Sequence, residues 1–393
     1  MQPKAVKRDG MRAHDEGWGM KIVILGAVGS MAIECTRDFI RTGQFEQVIL
    51  ADINRDLLRK MEDEIRDPRV SVRALDAGHK DDLRRVMKGC DVFINGMPSH
   101  FSANVTEVAI ELGLNGTDIT GLPDMFRYDQ AAAEKGCLIV AGLGCTPGIT
   151  NVLARYGYDR LERVEEIAVY FAAWRPIALS PGLVDFTIWA LHPDTMERCY
   201  YEDGRFVPVE PFSGSRRVKF MDPIGEQWVY YLPHQETMTI PRYLGCRRVE
   251  TLGTYPPDDM ELFKVLWKYG FLRDQPMEGT DFTPLDFVRR HLKQAPEART
   301  QPMRHYALVV EVRGLSEGRR LVQRYAVSHP PMDQWGGWSV YAKFTGIPLS
   351  VGSQMLARGE IEGKGVLAPE ACIPPEKFFD ELRRRGIVFD LEA

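Results

Sequence analysis

Long apolar runs and an excess of positive charge are both missing from this sequence of 393 residues. Without a run of about 18 apolar residues, we expect no membrane-spanning helix, and the polar N-terminus lacks the apolar centre of a signal peptide. Lys and Arg number 50 against 55 Asp and Glu, a net charge of -5. Binding to nucleic acid phosphates usually needs a basic surface, so we expect neither a membrane nor a nucleic acid partner.

Paired cysteine motifs are also missing. None of the seven scattered cysteines belongs to a C-x-x-C pair or has a histidine at zinc-site spacing. We interpret them as reduced structural thiols of a cytoplasmic protein and expect no metal site. The motif H-E-x-x-H and the P-loop G-K-[ST] do not occur either, which excludes two further classes of enzyme.

What remains is the composition of a folded protein, with 44% hydrophobic and 27% charged residues. From Met20 onward, short apolar segments alternate with amphipathic helical segments. The spacing predicts a Rossmann-type, doubly wound parallel sheet in an α/β fold. Its strands are expected at residues 21–25, 47–51, 70–74, 91–95, 116–118 and 138–141.

The pattern changes after residue 148 and predicts three units. Residues 306–313 and 321–327 are typical of a β-hairpin, within a second, sheet-rich α/β domain (residues 149–335). Helices at residues 339–358 and 375–385 are expected to pack back on the first domain. The first domain then comprises residues 20–148 and about 336–393, and residues 1–19 form an extension that we expect to be disordered.

A glycine-containing turn follows the first predicted strand directly. Its pattern, G-x-x-G-x-x-A, runs from Gly26 through Val28, Gly29 and Ser30 to Ala32. Gly26 permits a tight turn, Gly29 lets a pyrophosphate approach the backbone, and the helix that follows presents free N–H groups to phosphate. The alternative is an ordinary tight turn between a strand and a helix.

An acidic residue supports the nucleotide interpretation. Asp52 ends the second strand, where a carboxylate can accept a hydrogen bond from the adenosine ribose. This position favours NAD, although Arg55 could hold the 2′-phosphate of NADP. Asp52 is also compatible with a role as a helix N-cap.

The loops that follow the later strands complete the expected cofactor site, because ligands gather at the carboxyl ends of such strands. We expect Asn95 and Met97 to lie under the cofactor ribose and Asp118 to lie beside them. The loop at residues 142–148, which ends in Pro147 and Gly148, would face the nicotinamide amide or a substrate carboxylate. Its glycines would equally suit an interdomain hinge.

Four segments together resemble the saccharopine dehydrogenase superfamily, and within it the lysine 6-dehydrogenase type. They are KIVILGAVGSMAIECTRDF, VILADINRDL, DVFINGMPSHFSANVTEVAIELGLNGTDITG and AGLGCTPGITNVLARYG. The C-terminal stretch VGSQMLARGEIEGKGVLAPEACIPPEKFFDELRRRGI is similar to that group as well. The resemblance spans about residues 20–388. It implies NAD(P)-dependent oxidation or reduction at a C–N bond of an amino acid or polyamine, in a homo-oligomeric enzyme.

Matching residues carry this resemblance into the site. The nucleotide turn of the family matches at Gly26 and Gly29, and its glycine-proline turn matches at Pro147 and Gly148. The segment from His234 to Arg242 resembles the broader family pattern more than the lysine-enzyme version.

Hydride transfer from an amine carbon needs a base and a nearby negative charge. His234 and Glu236 are two residues apart, so on a strand they would share one face. His100 follows the fourth strand and is a second candidate base. Each of these polar residues is also compatible with a solvent-facing strand or loop.

Substrate recognition would need a cation for a carboxylate and an anion for an amine. Arg242 is the candidate carboxylate clamp, Asp185 the candidate amine partner, and Tyr231 a candidate for the pocket wall. Arg242 could instead form a surface ion pair, Asp185 could be a surface acid, and Tyr231 could pack in the core.

Three other functions were compared with this one. A short-chain dehydrogenase is discounted because no Tyr-x-x-x-Lys pair occurs. A protein that senses NAD(H) without turnover stays open, as does an imine or opine-type reductase.

Overall fold

The computed structural model describes residues 19–192, 194–195, 197–300, 304–337 and 339–391. Residues 1–18, which include most of the expected N-terminal extension, lie outside the described residues. Two β-sheets organise the chain, one of seven strands and one of nine. No helix in these ranges is long and apolar enough to cross a membrane.

The first sheet is entirely parallel and has the strand order β15-β6-β5-β4-β1-β2-β3. Its strands are β1 (Lys21–Leu25), β2 (Gln47–Asp52), β3 (Val70–Ala74), β4 (Val92–Asn95), β5 (Asn115–Asp118), β6 (Leu138–Ala141) and β15 (Gly365–Leu367). The first six were predicted to within one residue at each end. The sequences of these strands are short apolar runs because helices cover both faces of the sheet. The seventh comes from the far end of the chain.

Six helices follow these strands in the order that a doubly wound sheet requires. They are α1 (Ala32–Thr42), α2 (Arg55–Ile65), α3 (Lys80–Met87), α4 (Ser102–Leu112), α5 (Asp129–Lys135) and α6 (Ile149–Tyr158), with short 3₁₀ turns at Ser99–Phe101 and Pro123–Tyr128. The α/β fold class is therefore confirmed. The strand order reverses between β1 and β4, so their carboxyl ends open a crevice for a ligand.

The second sheet is mixed and has the order β10-β11-β12-β7-β13-β14-β16, with β8 pairing to β12 and β9 to β8. Its strands are β7 (Arg163–Trp174), β8 (Cys199–Glu202), β9 (Arg205–Pro208), β10 (Arg216–Lys219), β11 (Glu226–Tyr231), β12 (Arg248–Thr254), β13 (His305–Ser316), β14 (Arg319–Ser328) and β16 (Val388–Asp390). Only β7 and β12 run parallel, so the residues after these two strands meet at one edge.

The predicted hairpin exists, and its strands extend beyond the expected ranges, to Ser316 in β13 and from Arg319 in β14. Gly314 lies inside the ladder, where it pairs with Leu321, and the turn itself is at Glu317 and Gly318. Both have positive φ angles, of 50° and 71°, which is the backbone of a two-residue type I′ turn. Gly314 marks a register shift in the pairing with β7 instead, a role that glycine in a strand often has.

Eight helices follow β7 in the described part of the chain, and the last of them return to the first sheet. They are α7 (Pro181–Leu191), α8 (Gln235–Tyr243), α9 (Pro257–Lys268), α10 (Pro284–Gln294), α11 (Met332–Trp335), α12 (Val340–Ala357), α13 (Pro369–Cys372) and α14 (Pro375–Arg384). A further 3₁₀ turn lies at Glu297–Arg299. The Ser350 hydroxyl of α12 donates to Asp38 of α1 at 2.8 Å, and Arg385, just after α14, reaches the same carboxylate.

One apolar core joins the two sheets. Strand residues of the first sheet, residues of α12 and the inner face of the second sheet all belong to it. Side chains alternate along β7, so Phe171 and Ala173 face this core whereas Tyr170 and Ala172 face a separate one on the other side. The face that carries Phe171 is therefore the one turned toward the first sheet.

Candidate active site

The turn after β1 has the geometry that the glycine pattern predicts. The Gly26 and Ala27 N–H groups donate to the Ala51 carbonyl at 2.8 and 3.2 Å, which ties the turn to the end of β2. Gly26 has a φ of +72°, and a Cβ there would lie 2.6 Å from Cγ of Met97. Only glycine satisfies both the dihedral angle and the close approach of Met97.

The amino end of α1 presents unpaired donors beside this turn. The backbone N–H groups of Ser30, Met31 and Ala32 donate to no residue in the described part of the chain. A Cβ on Gly96 would lie 2.4 Å from Cβ of Ala32, so glycine is needed where β4 ends against the helix. A helix amino end with free N–H groups is a site for phosphate. The residues therefore fit the pyrophosphate of a dinucleotide.

Asp52 points back at the turn. Its Oδ2 accepts a hydrogen bond from the Val28 N–H at 3.4 Å, and its Oδ1 accepts one from the Asn54 N–H at 2.9 Å. The N-cap of α2 is Asn54, whose Oδ1 accepts from the Leu57 N–H, so Asp52 does not have the capping role considered above. Its carboxylate is left at the end of β2, beside the adenosine end of a bound dinucleotide.

The ends of β4 and β5 are joined by buried polar contacts. Asn95 donates from Nδ2 to Asp118 at 2.6 Å and accepts from the Met97 N–H at 3.2 Å. Thr120 donates to Asp118 from its N–H and from its hydroxyl. Burial raises the pKa of Asp118 to about 6, although these hydrogen bonds oppose the shift. Asp118 thus holds the loop that follows β5.

The loop after β6 is shaped by glycines at its two ends. Gly142 and Gly148 have φ angles of +86° and +130°, and a Cβ on Gly148 would lie 1.9 Å from the Gly144 carbonyl oxygen. The Gly144 N–H donates to the Pro147 carbonyl across this loop. Thr146 lies in this compact loop, and Thr150 is the second residue of α6, which begins directly after the loop.

Those two hydroxyls hold a buried carboxylate. Thr146 and Thr150 donate to Oε1 of Glu236 at 2.5 and 2.6 Å, and the other oxygen, Oε2, lies 2.5 Å from Nδ1 of His234. The side chains of His234 and Glu236 are 5% and 0% exposed. The histidine–carboxylate pair is therefore fixed at the carboxyl edge of the first sheet.

The strand predicted for these two residues was wrong. His234 and Glu236 do not share a face of a strand: β11 ends at Tyr231, His234 is the extended N-cap residue of α8, and Glu236 lies in its first turn. Pro233 breaks the alternating pattern before His234, which was the local signal for the end of the strand.

The surroundings of the pair favour the ionised form of Glu236. Burial raises the pKa of Glu236, but the His234 charge and the hydrogen bonds from His234, Thr146 and Thr150 outweigh it, so the net direction is downward. The His234 ring packs against Phe171 and Phe186, with ring centroids 5.1 and 6.3 Å apart. Its Nε2 makes no hydrogen bond to any described residue and is the atom left for a ligand.

The other candidates lie elsewhere. His100 is exposed and stacks on Phe101 in the turn after β4. Tyr231 faces the opposite side of the second sheet, where its hydroxyl donates to Glu250 at 2.8 Å.

The two charged candidates for substrate binding are paired on the surface. Arg242, in the last turn of α8, is 43% exposed and pairs with Asp129 at 2.9 Å. Asp185 pairs with Lys293 at 2.8 Å and is also near Arg289. None of these is brought to the His234–Glu236 pair.

Functional candidates that the sequence analysis missed are polar residues from distant segments. Asn151, in α6, donates to Glu370 of α13 at 2.9 Å and to Thr239 of α8. Burial raises the pKa of Glu370 to about 7, and nearby Glu236 raises it further. The threonine in the loop at residues 142–148 was visible in the sequence, but nothing local marks Glu370, which is 219 residues from Asn151.

Comparison with known protein families shows the family to which this chain belongs. Residues 22–140 match the sequence profile of the saccharopine dehydrogenase NADP binding domain, and residues 144–387 match that of the saccharopine dehydrogenase C-terminal domain. The chain belongs to the saccharopine dehydrogenase family. The resemblance noted from the sequence is thus confirmed at the level of the family.

Two individual proteins are similar over nearly the whole chain. The saccharopine dehydrogenase (L-Glu forming) of Saccharomyces cerevisiae superposes with a TM-score of 0.72 and 15% identity, over 95% of this chain and 100% of the yeast chain. The carboxynorspermidine synthase of Vibrio alginolyticus is 21% identical over 345 residues, which are 81% of this chain and 82% of that protein. At these identities the structural likeness supports the fold alone.

Membership of the saccharopine dehydrogenase family also settles the kind of cofactor. Residues 22–140 form a dinucleotide-binding domain of this family, in agreement with the turn at Gly26 and the free N–H groups of α1. The expected nicotinamide dinucleotide is confirmed, and the chain is of the oxidoreductase type.

Proposed function

We propose that this member of the saccharopine dehydrogenase family is an NAD(P)-dependent oxidoreductase that acts on a C–N bond of an amino acid or amine. The observation that carries the proposal is the buried His234–Glu236 pair, held by Thr146 at the carboxyl edge of the dinucleotide-binding sheet. A base with one free ring nitrogen thus lies at the edge where strand-end loops surround a bound cofactor.

The residues suit removal of a proton from an amine. A bound nicotinamide dinucleotide supplies the acceptor or donor of hydride. His234 accepts the substrate proton at Nε2, because Nδ1 is occupied by Glu236. The imidazolium that forms is stabilised by the carboxylate, and that carboxylate keeps its charge because Thr146 and Thr150 hydrogen-bond its other oxygen. In the reductive direction the same histidine returns the proton.

Apolar rings surround the reacting region. Phe171 and Phe186 lie against His234, so water is partly excluded from the base. A dry site strengthens the attraction between a developing iminium and the Glu236 carboxylate. The pair therefore combines the base and the negative charge that the reaction needs.

The relatives suggest the type of substrate. The sequence resembles the lysine 6-dehydrogenase type, and the Vibrio relative is named for carboxynorspermidine, a carboxylated polyamine. Both names describe amines that also carry a carboxylate. We accordingly propose an amine substrate with an acidic group, in a cytoplasmic homo-oligomer, the state that the resemblance implies.

For the cofactor we propose NAD over NADP. The Asp52 carboxylate at the end of β2 would repel a 2′-phosphate and accept a hydrogen bond from an unmodified ribose. Arg55 is the residue that could offset this repulsion.

Reduced-nicotinamide absorbance tests the proposal directly. Purified protein is incubated with NAD or NADP and a panel of amino acids and polyamines, and in the reverse direction with the corresponding aldehydes or keto acids plus ammonia and NADH or NADPH. Turnover that depends on His234 is the expected result. Tight binding of NADH without turnover of any panel member would indicate a sensor and would contradict the proposal.

A further inference from the structure

A second buried charge lies on the same face of the second sheet. Arg175 follows β7 directly and is 3% exposed. No carboxylate of the described residues lies within 4 Å of its guanidinium, and its Nε has no hydrogen-bond partner. The nearby acid is Asp259, where the charge of Arg175 opposes the burial that raises the pKa of that carboxyl. The terminal nitrogens of Arg175 donate to two neutral groups, the Pro176 carbonyl at 3.2 Å and the Thr187 hydroxyl at 2.9 Å. A buried cation without a directly paired anion is costly.

Aromatic side chains surround this guanidinium. Its central carbon lies 5.2 Å from the ring centroid of Tyr255 and 5.3 Å from that of Tyr341. Tyr255 follows β12, the strand parallel to β7, so the carboxyl ends of the two parallel strands bring it next to Arg175. Cation–π contacts offset part of the cost of burial, but they leave the Nε–H edge of the guanidinium free.

The amino end of a long helix lies at the same place. Tyr341 is the second residue of α12, which has 18 residues. The N–H groups of Val340 and Tyr341 donate to no described residue, whereas Ser339 caps the Ala342 N–H. Helix amino ends favour anions, so two independent positive features converge where no acidic partner is within ion-pair distance.

The position of Arg175 relative to the proposed base fits one extended substrate. Phe171 packs on His234, and its ring centroid is also 6.4 Å from that of Tyr255, which in turn contacts Arg175. Phe171 belongs to the apolar core between the two sheets, as do Tyr255 and Tyr341, the two rings that Arg175 contacts. A chain of a few carbons running past Phe171 and Tyr255 would connect the two polar ends.

We infer that Arg175, with Tyr255, Tyr341 and the amino end of α12, binds the carboxylate of the substrate while His234 faces its amine. This inference rests on the proposed function, which it deepens by naming the group recognised. It also replaces the expected clamp Arg242, whose guanidinium is already paired with Asp129. Guanidinium is suited to this role because its planar fork can bind both oxygens of a carboxylate.

Binding of glutarate, a simple dicarboxylate, tests the anion site without any turnover. Titration calorimetry compares the wild-type protein with Arg175→Gln and Arg175→Lys. We expect Arg175→Gln to weaken glutarate binding by about 10- to 100-fold and Arg175→Lys to give an intermediate value. Arg217→Gln is the matched control, because Arg217 is exposed and its contacts, an ion pair with Glu226 and the ring of Trp228, are on the surface. The affinity of this variant for glutarate should stay within about twofold of wild type.

Turnover of matched substrates separates this inference from the proposed function. Each amino acid is compared with the amine that lacks its carboxylate, and Arg175→Lys should lose the preference for the amino acid through KM rather than kcat. Loss of glutarate binding without turnover of any amine would reject the proposed function and keep the anion site. Turnover with no change in preference, or glutarate affinity unaltered in a folded Arg175→Lys variant, would overturn the inference. Thermal melts establish folding, and if Arg175→Gln does not fold the Arg175→Lys result decides.

Discussion

His234 and Glu236 are two residues apart in the chain, and Nδ1 of one lies 2.5 Å from Oε2 of the other because helix α8 begins between them. His234 is still extended as the N-cap residue, whereas Glu236 is already in the first turn. Because the backbone changes from extended to helical between the two residues, their side chains point toward each other. Thr146, in the loop after β6, and Thr150, in α6, then donate to the other oxygen of the carboxylate.

The first prediction concerns this pair. His234→Gln should lower kcat by about 10²- to 10⁴-fold because the proton acceptor is lost. Glu236→Gln should also lower kcat, since a neutral amide cannot stabilise the imidazolium. Stopped-flow hydride transfer measures both. Because neither residue contacts the turn at Gly26, NADH affinity should be unchanged, and a histidine variant with normal kcat would exclude His234 as the base.

The second prediction concerns the nucleotide turn. Gly29→Asp places a carboxylate beside the free N–H groups of Ser30 and Met31, so a pyrophosphate is repelled and NADH binding should be abolished. Fluorescence titration measures the affinity. Gly182→Asp is the matched control: it adds the same charge at the amino end of another helix, α7, where φ is not positive and a Cβ meets nothing within 4 Å. Equal NADH affinity in both variants would show that the turn does not bind the cofactor.

The third prediction concerns cofactor preference. Replacing Asp52 with Ser removes the carboxylate that faces the Val28 N–H, so the ratio of NADP to NAD affinity should rise by about tenfold or more, the equivalent of about 1.4 kcal/mol. Asp63→Asn, which makes the same change of charge at the far end of α2, should leave the ratio unaltered. If the wild-type protein prefers NADP, Arg55 and not Asp52 determines the cofactor preference, because Arg55 could hold the 2′-phosphate.

The fourth prediction concerns pH. The pKa of Glu370 is raised to about 7 by burial, above its value in the unfolded chain, so the folded state binds the proton more tightly. The free energy of unfolding should therefore fall as pH rises from about 4.5 to about 7, by about 3 kcal/mol at most. Urea unfolding of Glu370→Gln should lack this part of the pH dependence.

A control variant isolates that effect. Glu376 lies on α14 and pairs with Arg160, which lowers its pKa. Its contribution to stability is complete above its unfolded pKa, so Glu376→Gln should retain the slope of wild type between pH 5 and 7. Parallel pH profiles for wild type and Glu370→Gln would mean that Glu370 is ionised in the folded protein.

The fifth prediction concerns the C-terminal helices. Arg385 is buried and donates from Nε to Asp38 of α1 at 2.8 Å. Arg385→Ala leaves that buried carboxylate with the exposed Arg41 as its only ion-pair partner among the described residues, together with hydroxyl groups such as that of Ser350. The free energy of unfolding should fall by about 3 kcal/mol. Arg384→Ala removes a neighbouring arginine that is 72% exposed and should cost less than about 1 kcal/mol.

Local chemistry was enough to identify the first sheet and the cofactor turn. Buried parallel strands read as short apolar runs, and the turn at Gly26 needs glycine for a positive φ that other residues avoid. Both signals lie within a few consecutive residues, and so does the carboxylate of Asp52 at the end of β2. The boundaries of the domains, proposed from changes in composition, stay a prediction.

The rest of the candidate site depends on contacts between residues that are far apart in the chain. Glu236 receives hydrogen bonds from Thr146 and Thr150, and no pattern within α8 indicates that they meet. Arg175 resembles any arginine after a strand until the parallel pairing of β7 and β12 places Tyr255 beside it and α12 brings Tyr341. The sequence by itself determined the first six strands of the parallel sheet and the glycine turn after β1, because backbone sterics and side-chain periodicity act locally. Only the tertiary structure decided which buried charges lie close to one another, because burial and pairing are properties of the packed chain.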